Sequence, residues 1–432
     1  MKAVTFISAL LVVAAGAHAS ELTLEEAIDF ALARSPAAAA AEAAYLYGRA
    51  DLYQGWGGVL PAANLSYSGS RYFDREAFRV GGYEIPGYRP PIHYYYAQGR
   101  LDQPLFAGGR LIWGVMSGRA SARAGKAARV EQRQSLVVEI ARAYLAVLKA
   151  QGLKNVADTS LEAGRNNEEL ASAQYESEAI SRAEYLKAVV RRGVDETASI
   201  AAEAAVETAR LAFFNAAGME PDDNLTFAEV EGFEPRELPS PAELTEQAMA
   251  RRPDVTRTNA EKRVADLGVR SARAGWFPSL AASAIYAWND VNSPSRETWN
   301  DFDEWTVGAT ASWDLFDGFS TKANVDRARA AAATVRVAHD RLRDAVALDV
   351  TTAYYEYKKQ AETVTVAEKT AAAAEEEFTI VQELYALGGA STLELTDAQA
   401  RFVEAQNAFV EAKYDFLIAD FDLKRALGQL KY

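Results

Sequence analysis

The sequence predicts a mainly helical chain, built twice from one plan, in which each copy is interrupted by a pair of β-strands long enough to cross a membrane. Three observations predict it. Short motifs recur between the two halves at a nearly constant displacement. Proline is absent from two windows of more than a hundred residues. Four runs of about ten residues alternate apolar and polar side chains.

The N-terminus reads as a secretory signal peptide over residues 1–19. Lys2 supplies the positive charge, Val4 to Gly16 is apolar, and Ala17-His18-Ala19 is a small-x-small cleavage site before Ser20. The apolar stretch is shorter than the roughly 20 residues that a spanning helix needs. No later segment offers 18 consecutive apolar residues, so a membrane crossing, if there is one, is made by strands.

Composition excludes several classes of function. The chain has no cysteine, which removes disulfides, thiolate catalysis and thiolate metal sites. Beyond His18 only His93 and His339 remain, far apart and without a partner at ligand spacing; each is expected at the surface rather than on a metal. With 60 acidic against 46 basic residues the net charge is −14, which disfavours nucleic acid. No glycine-rich phosphate loop precedes a helix and no catalytic constellation can be drawn, so neither an enzyme nor a cofactor is expected.

The duplication sets the organisation. Arg34-Ser35-Pro36 recurs as Arg251-Arg252-Pro253, and Leu60-Pro61 as Phe277-Pro278, displaced by 217 positions. Leu105-Phe106-Ala107-Gly108 recurs as Leu315-Phe316-Asp317-Gly318, Ala143-Tyr144 as Ala353-Tyr354, Ser181 as Ser391, and Glu184 as Glu394, all displaced by 210. The first half therefore carries a loop seven residues longer between Pro61 and Leu105. The first repeat is placed at 20–220, a proline-rich linker at 221–241, and the second repeat at 242–432.

Long helices follow from the proline map. None of the thirteen prolines falls from Leu105 to Glu220 or after Ser295, and a proline inside a helix costs about 3 kcal/mol. Leu136, Ile140, Ala143 and Val147 keep the helical period, as do Leu342, Val346, Val350, Ala353 and Tyr357. Thr321 to about Leu387 reads as one helix of roughly 100 Å, broken at Gly388-Gly389, with a return helix from Ser391 to Leu427. The first half makes the same hairpin and turns near 177–180. A second apolar flank on these helices suits packing between two neighbours in a ring; an ordinary bundle or coiled coil fits the same segments.

The strands occupy about 62–73, 94–104, 279–289 and 305–315. Trp305, Val307, Ala309, Ala311, Trp313 and Leu315 alternate with polar or small residues, and Leu65, Tyr67 and Gly69 alternate with serines. The run from Leu280 to Asn289 is less regular. Run lengths match tilted transmembrane strands, and aromatic residues sit at run ends (Tyr72, Tyr94, Trp288, Trp305, Trp313) as an interfacial girdle requires. Four strands cannot close a barrel and lipid tolerates no open edge, so several chains must share one.

This order of elements, with two local motifs, resembles the TolC-like outer-membrane efflux and secretion channels over essentially the whole mature chain. One motif is the strand exit, Pro104 to Gly109 and Trp313 to Gly318. The other is the inner turn, Tyr385 to Ala398. The resemblance implies a homotrimer with a twelve-stranded β-barrel over a helical tunnel in the periplasm. It also implies a passive exit duct of a tripartite efflux pump or type I secretion system, working with a periplasmic adaptor, an inner-membrane pump and outer-membrane lipid.

Glu394 and Asp397 match the family's acidic constriction and, three apart, share a helix face. Six such carboxylates around a narrow pore favour cations, and their crowding is expected to raise some of their pKa values. Tyr385, Lys413 and Glu184 match the links that close the periplasmic tip, and Gly388, Gly389 and Ser391 the inner turn that meets the adaptor. Ala390 stands where one family link uses a basic residue, which implies either a looser gate or a closing network held by other groups such as Arg182. The alternative reading is a non-transporting periplasmic coiled-coil scaffold or adaptor, which explains the helices but not the strand pairs.

Overall fold

The computed structural model describes residues 21–71, 73, 79–80, 83–84, 93–230, 235–291 and 303–430. The signal peptide and Tyr72 lie outside the described residues. In chain order the elements are β1 (Glu21–Leu22), α1 (Leu24–Arg34), α2 (Pro36–Gly57), β2 (Ala62–Arg71), β3 (Arg79–Val80), β4 (Tyr83–Glu84) and β5 (His93–Ala107). Then come α3 (Arg110–Glu176), α4 (Arg182–Ala217), β6 (Thr226–Phe227), α5 (Pro241–Arg251), α6 (Pro253–Arg273) and a 3-10 turn (Ala274–Trp276). The chain ends with β7 (Ser279–Val291), β8 (Asp303–Ser312), α7 (Ser320–Ala386) and α8 (Thr392–Ala426). The proline-free windows contain two helices of 67 residues each, α3 and α7.

One compact unit comprises 40–132 and 245–348. Its centre is an antiparallel sheet in the order β2-β5-β7-β8. The register aligns the four alternating runs. Leu65 pairs with Gly99, Gly99 with Tyr286, and Tyr286 with Trp305; beside them run Ala63, Leu101, Ala284 and Val307. One face of the sheet is thus apolar across all four strands. The other carries Ser66, Gln98, Arg100, Asp102 and Thr306, with Arg100 bridging Asp102 at 2.7 Å. The irregular β7 run has its cause in Ile285 and Ala287, apolar residues on that otherwise polar face. β5 bulges between Pro104 and Phe106, where proline removes a ladder donor.

β8 stops at Ser312, three residues short of the expected end. Gly318 and Phe319 take left-handed φ values of +66° and +68°. The Asp317 carboxylate accepts from the Thr321 N–H at 2.7 Å, so the chain turns into α7 there. Next to the sheet, α2 and α3 pack backbone to backbone through glycines: a Cβ on Gly118 would lie 2.6 Å from the Asp51 carbonyl oxygen. His339 is not at the surface. It is 7% exposed, with its Nδ1 3.3 Å from the Thr258 hydroxyl on α6. Its place on the α7 face turned to α6 explains the burial, and the Thr258 hydroxyl gives the ring nitrogen a hydrogen-bond partner there.

The other unit comprises the described residues up to 39, 133–244 and 349–430. Its core gathers α1, α3, α4 and α8 around Tyr144, Phe213 and Phe227, whose rings meet edge to face at 5.0–6.0 Å. β1 and β6 pair in parallel beside it. The Tyr144 hydroxyl lies 2.7 Å from the Leu22 carbonyl oxygen and 2.6 Å from that of Ala228, sharing its proton between them. Burial pushes its pKa up to about 12.

Candidate periplasmic tip

The two helical hairpins of this unit turn by the same device. α7 ends at Ala386 and the chain turns at Gly388, whose φ is +76°, with Gly389 N–H donating to the Leu384 carbonyl at 2.8 Å. That six-to-one bond closes the last helical turn. α3 ends 210 positions earlier in the same way: Glu178 takes φ +58° and Ala179 N–H donates to the Gln174 carbonyl at 2.8 Å. A side chain in this conformation is strained where glycine is not. Glu178→Gly is therefore expected to stabilise the fold by about 0.5–1 kcal/mol, read as a raised unfolding midpoint by circular dichroism.

Both return helices open on a capping box. Ser391 N–H and hydroxyl donate to the Glu394 carboxylate at 2.7 and 2.9 Å, while the Glu394 N–H donates back to Ser391 Oγ at 3.2 Å. Ser181 and Glu184 repeat this at 3.0, 3.2 and 3.3 Å. Orphan amides at both helix starts are satisfied this way. The backbone bond from Ser391, then its hydroxyl, holds the Glu394 carboxyl below the usual carboxylate range. Within one protomer the cap favours the ionised form of Glu394.

Glu394 and Asp397 are both exposed, while Leu395 and Ala398 face inward. The two carboxylates therefore share the outer face of the α8 start. Tyr385 is only 4% exposed, packed with Phe378, Leu395, Ala398 and Phe402, and its hydroxyl has no partner among the described residues. Glu184 is engaged by its cap. Lys413 is not at the tip: it lies nineteen residues beyond Glu394 on α8, roughly 28 Å along the helix, and its Nζ binds Glu229. A linear motif match is blind to that separation.

Sequence reading missed a buried polar cluster nearby. Asp195 of α4, 4% exposed, accepts from the Ser160 hydroxyl of α3 at 3.1 Å and from Gln399 Nε2 of α8 at 3.0 Å. Arg191 bridges it at 3.0 Å. Gln399 also donates to the Ser160 carbonyl at 3.1 Å. Burial pushes the Asp195 carboxyl up, against the pull of Arg191 and the two donors. Among the described residues no group of histidines and carboxylates could hold a metal ion, and no helix is long and apolar enough to cross a membrane.

The chain is similar to known proteins in sequence and in fold. The family described as outer membrane efflux protein matches residues 27–219 and 244–429. The outer membrane efflux protein BepC of Brucella suis biovar 1 (strain 1330) is 23% identical over 350 residues, covering 78% of this chain and 75% of BepC. Among solved structures, the CmeC outer membrane channel of Campylobacter jejuni superposes with a TM-score of 0.81 at 17% identity, covering 94% of this chain and 85% of CmeC. The open state of the MtrE outer membrane channel of Neisseria gonorrhoeae gives 0.74 at 20% identity, covering 94% and 88%.

Proposed function

We propose a function from one premise: this chain belongs to the outer membrane efflux protein family. It is an outer-membrane protein of a channel family and not an enzyme. In our reading it is the exit duct of a tripartite efflux pump or a type I secretion system. It is a passive conduit whose helical tunnel stands in the periplasm, closed at the tip formed by α7 and α8, and it works with an inner-membrane pump and a periplasmic adaptor that meets Gly388, Gly389 and Ser391.

The carrying observation is the four-stranded sheet, apolar on one aligned face and open at both edges, β2 and β8. Lipid leaves no edge unpaired, and bacterial barrels need at least eight strands. Three copies joined β8 to β2 make twelve. The helices support the same assembly, since α4 exposes Val190, Val194 and Ile200 while α7 exposes Leu348, Tyr355 and Val366. Neighbouring copies bury these rows against each other in this reading.

Threefold symmetry then sets Glu394 and Asp397 in a ring of six carboxylates. The capping box supports a ring that stays charged, because it favours ionised Glu394. Tyr385 acts as a second gate element: its enclosed, unpaired hydroxyl weighs against the tip staying as it is, and a helix movement that frees it relieves that cost.

The test is conduction. Purified protein should elute as a trimer and pass ions across a planar bilayer, and a monomer without conductance would refute the duct. Glu394→Ala with Asp397→Ala should raise the half-blocking concentration of a trivalent cation on the periplasmic side by at least about ten-fold, which corresponds to about 1.4 kcal/mol. Asp397→Asn, which spares the cap, should move it the same way. Unchanged block in both would remove these residues from the constriction.

A further inference from the structure

Arginines crowd the helices that lead into β7 and away from β8. α6 and α7 border an open cavity of about 420 Å³ lined by Arg270, Arg273, Arg329 and Arg336, with Asp266 its only acidic wall residue. Two of the four are already engaged. Arg336 holds Asp266 at 2.5 Å and Arg329 approaches Asp326 at 3.3 Å. Among the described residues no carboxylate bridges Arg270 or Arg273. Arg270 lies over the Trp113 ring at 5.2 Å, which orients its guanidinium without neutralising it. The cavity therefore keeps an excess of positive charge in a chain whose net charge is −14.

Its depth is fixed by the chain itself. Arg273 closes α6, three residues before Trp276 and six before Ser279, where the first membrane-length strand of the second half begins. The connection is the 3-10 turn Ala274–Trp276, about 6 Å long, followed by Phe277 and Pro278. A bilayer's headgroup layer is about 5–8 Å thick on each side, the difference between its hydrocarbon core and its whole. Arg273 therefore stands one short turn and two residues from the end of the strand, on the side that leads away from the sheet. Large apolar side chains stand next to the strand ends, nearer the sheet than Arg273: Phe277 is 57% exposed and Trp313 59%. Trp313 Nε1 donates to the Trp276 carbonyl at 3.2 Å, an arrangement suited to an interfacial belt.

We propose that this cavity seats the phosphate of a glycerophospholipid from the inner leaflet of the outer membrane, with Arg270 and Arg273 as its ligands. Phe277 and Trp313 border the acyl chains below the headgroup. A phosphate diester meets the unneutralised arginines by paired N–H···O bonds, and its lipid tail follows the aromatic surface toward the apolar face of the sheet. The inference rests on the outer-membrane location of the chain and is independent of the gate.

Native mass spectrometry of the full-length protein in detergent, titrated with phosphatidylglycerol, tests it. Wild-type protein should retain bound lipid. Arg270→Gln with Arg273→Gln should weaken retention about thirty-fold, since each basic residue at a membrane surface contributes about 1 kcal/mol. The same pair changed to lysine should recover much of the loss. Circular dichroism of each variant checks that it is folded. Equal retention by wild type and the glutamine variant would overturn the site. So would an equal loss on Arg341→Gln, an arginine of α7 outside the cavity, which would reduce the effect to general charge. Displacement of the lipid by millimolar inorganic phosphate alone would overturn the lipid as its occupant, because a free anion would then suffice.

Discussion

Asp195→Ala is expected to lower the unfolding free energy by about 3–5 kcal/mol, as breaking a buried ion pair from one side does. The carboxylate joins three helices: it takes bonds from Ser160 on α3 and Gln399 on α8, and it holds Arg191 on its own helix. Removing it takes one acceptor from a glutamine that is 1% exposed and leaves a guanidinium without its only bridging carboxylate among the described residues. Asparagine at 195 is expected to recover only part of the loss. Its oxygen can replace one acceptor, but its amide N–H groups then face donors. Denaturant unfolding in detergent, read by circular dichroism, separates these outcomes.

The pH dependence of this cluster has a definite sign. Burial raises the folded pKa of Asp195 above its unfolded value, so the native chain binds the proton more readily. The site's contribution to stability falls as pH rises from the ordinary carboxylate pKa through the raised one. Glu394 works the other way. Its folded pKa is lowered, so its cap contributes above the unfolded pKa and is lost as pH falls through the folded one. Acidification therefore loosens the start of α8 while it favours the clasp that ties α8 to α3 and α4.

Much of this was legible in the sequence, and the misses have physical causes. Proline's effect is local and large, so its absence marked the two windows that hold the long helices, and Gly388-Gly389 marked where α7 ends. Period-two alternation located the four strands, since each strand's facing depends on its own residues. Asp195 was not legible. It stands in Arg191-Arg192-Gly193-Val194-Asp195-Glu196, a pattern that reads as a solvated helix face. Burial comes from elsewhere in the chain: Gly164 on α3 leaves room for the carboxylate, and a Cβ there would lie 2.8 Å from Asp195 Oδ2. His339 was misjudged for the same reason, because its partner Thr258 is on another helix. Glu394 carried its local role openly, as Ser391 three residues earlier is the signature of a capping box, but a role in a pore depends on other copies of the chain.

Gly118→Ala is expected to cost about 2–3 kcal/mol, and Gly118→Leu to prevent folding. A Cβ at 118 would meet the Asp51 carbonyl oxygen at 2.6 Å and Leu52 Cα at 2.9 Å. Both are backbone atoms of α2, so no side chain can swing aside and the two helices must separate. The contact is not isolated. Cβ atoms on Gly48 and Gly55 would meet the carbonyl oxygens of Ser121 and Gly114 at 2.8 and 2.7 Å, so the backbones touch along the whole α2–α3 seam. Moving them apart at Gly118 loosens each of the other close approaches. Gly268 on α6 supplies the contrast, since a Cβ there would meet nothing within 4 Å. Gly268→Ala is therefore expected to stabilise by about 0.5–1 kcal/mol, the ordinary gain of alanine over glycine inside a helix. Unfolding midpoints measured side by side should move in opposite directions for the two glycines, and a fall of similar size in both would mean that the close approach of α2 and α3 is not what Gly118 protects.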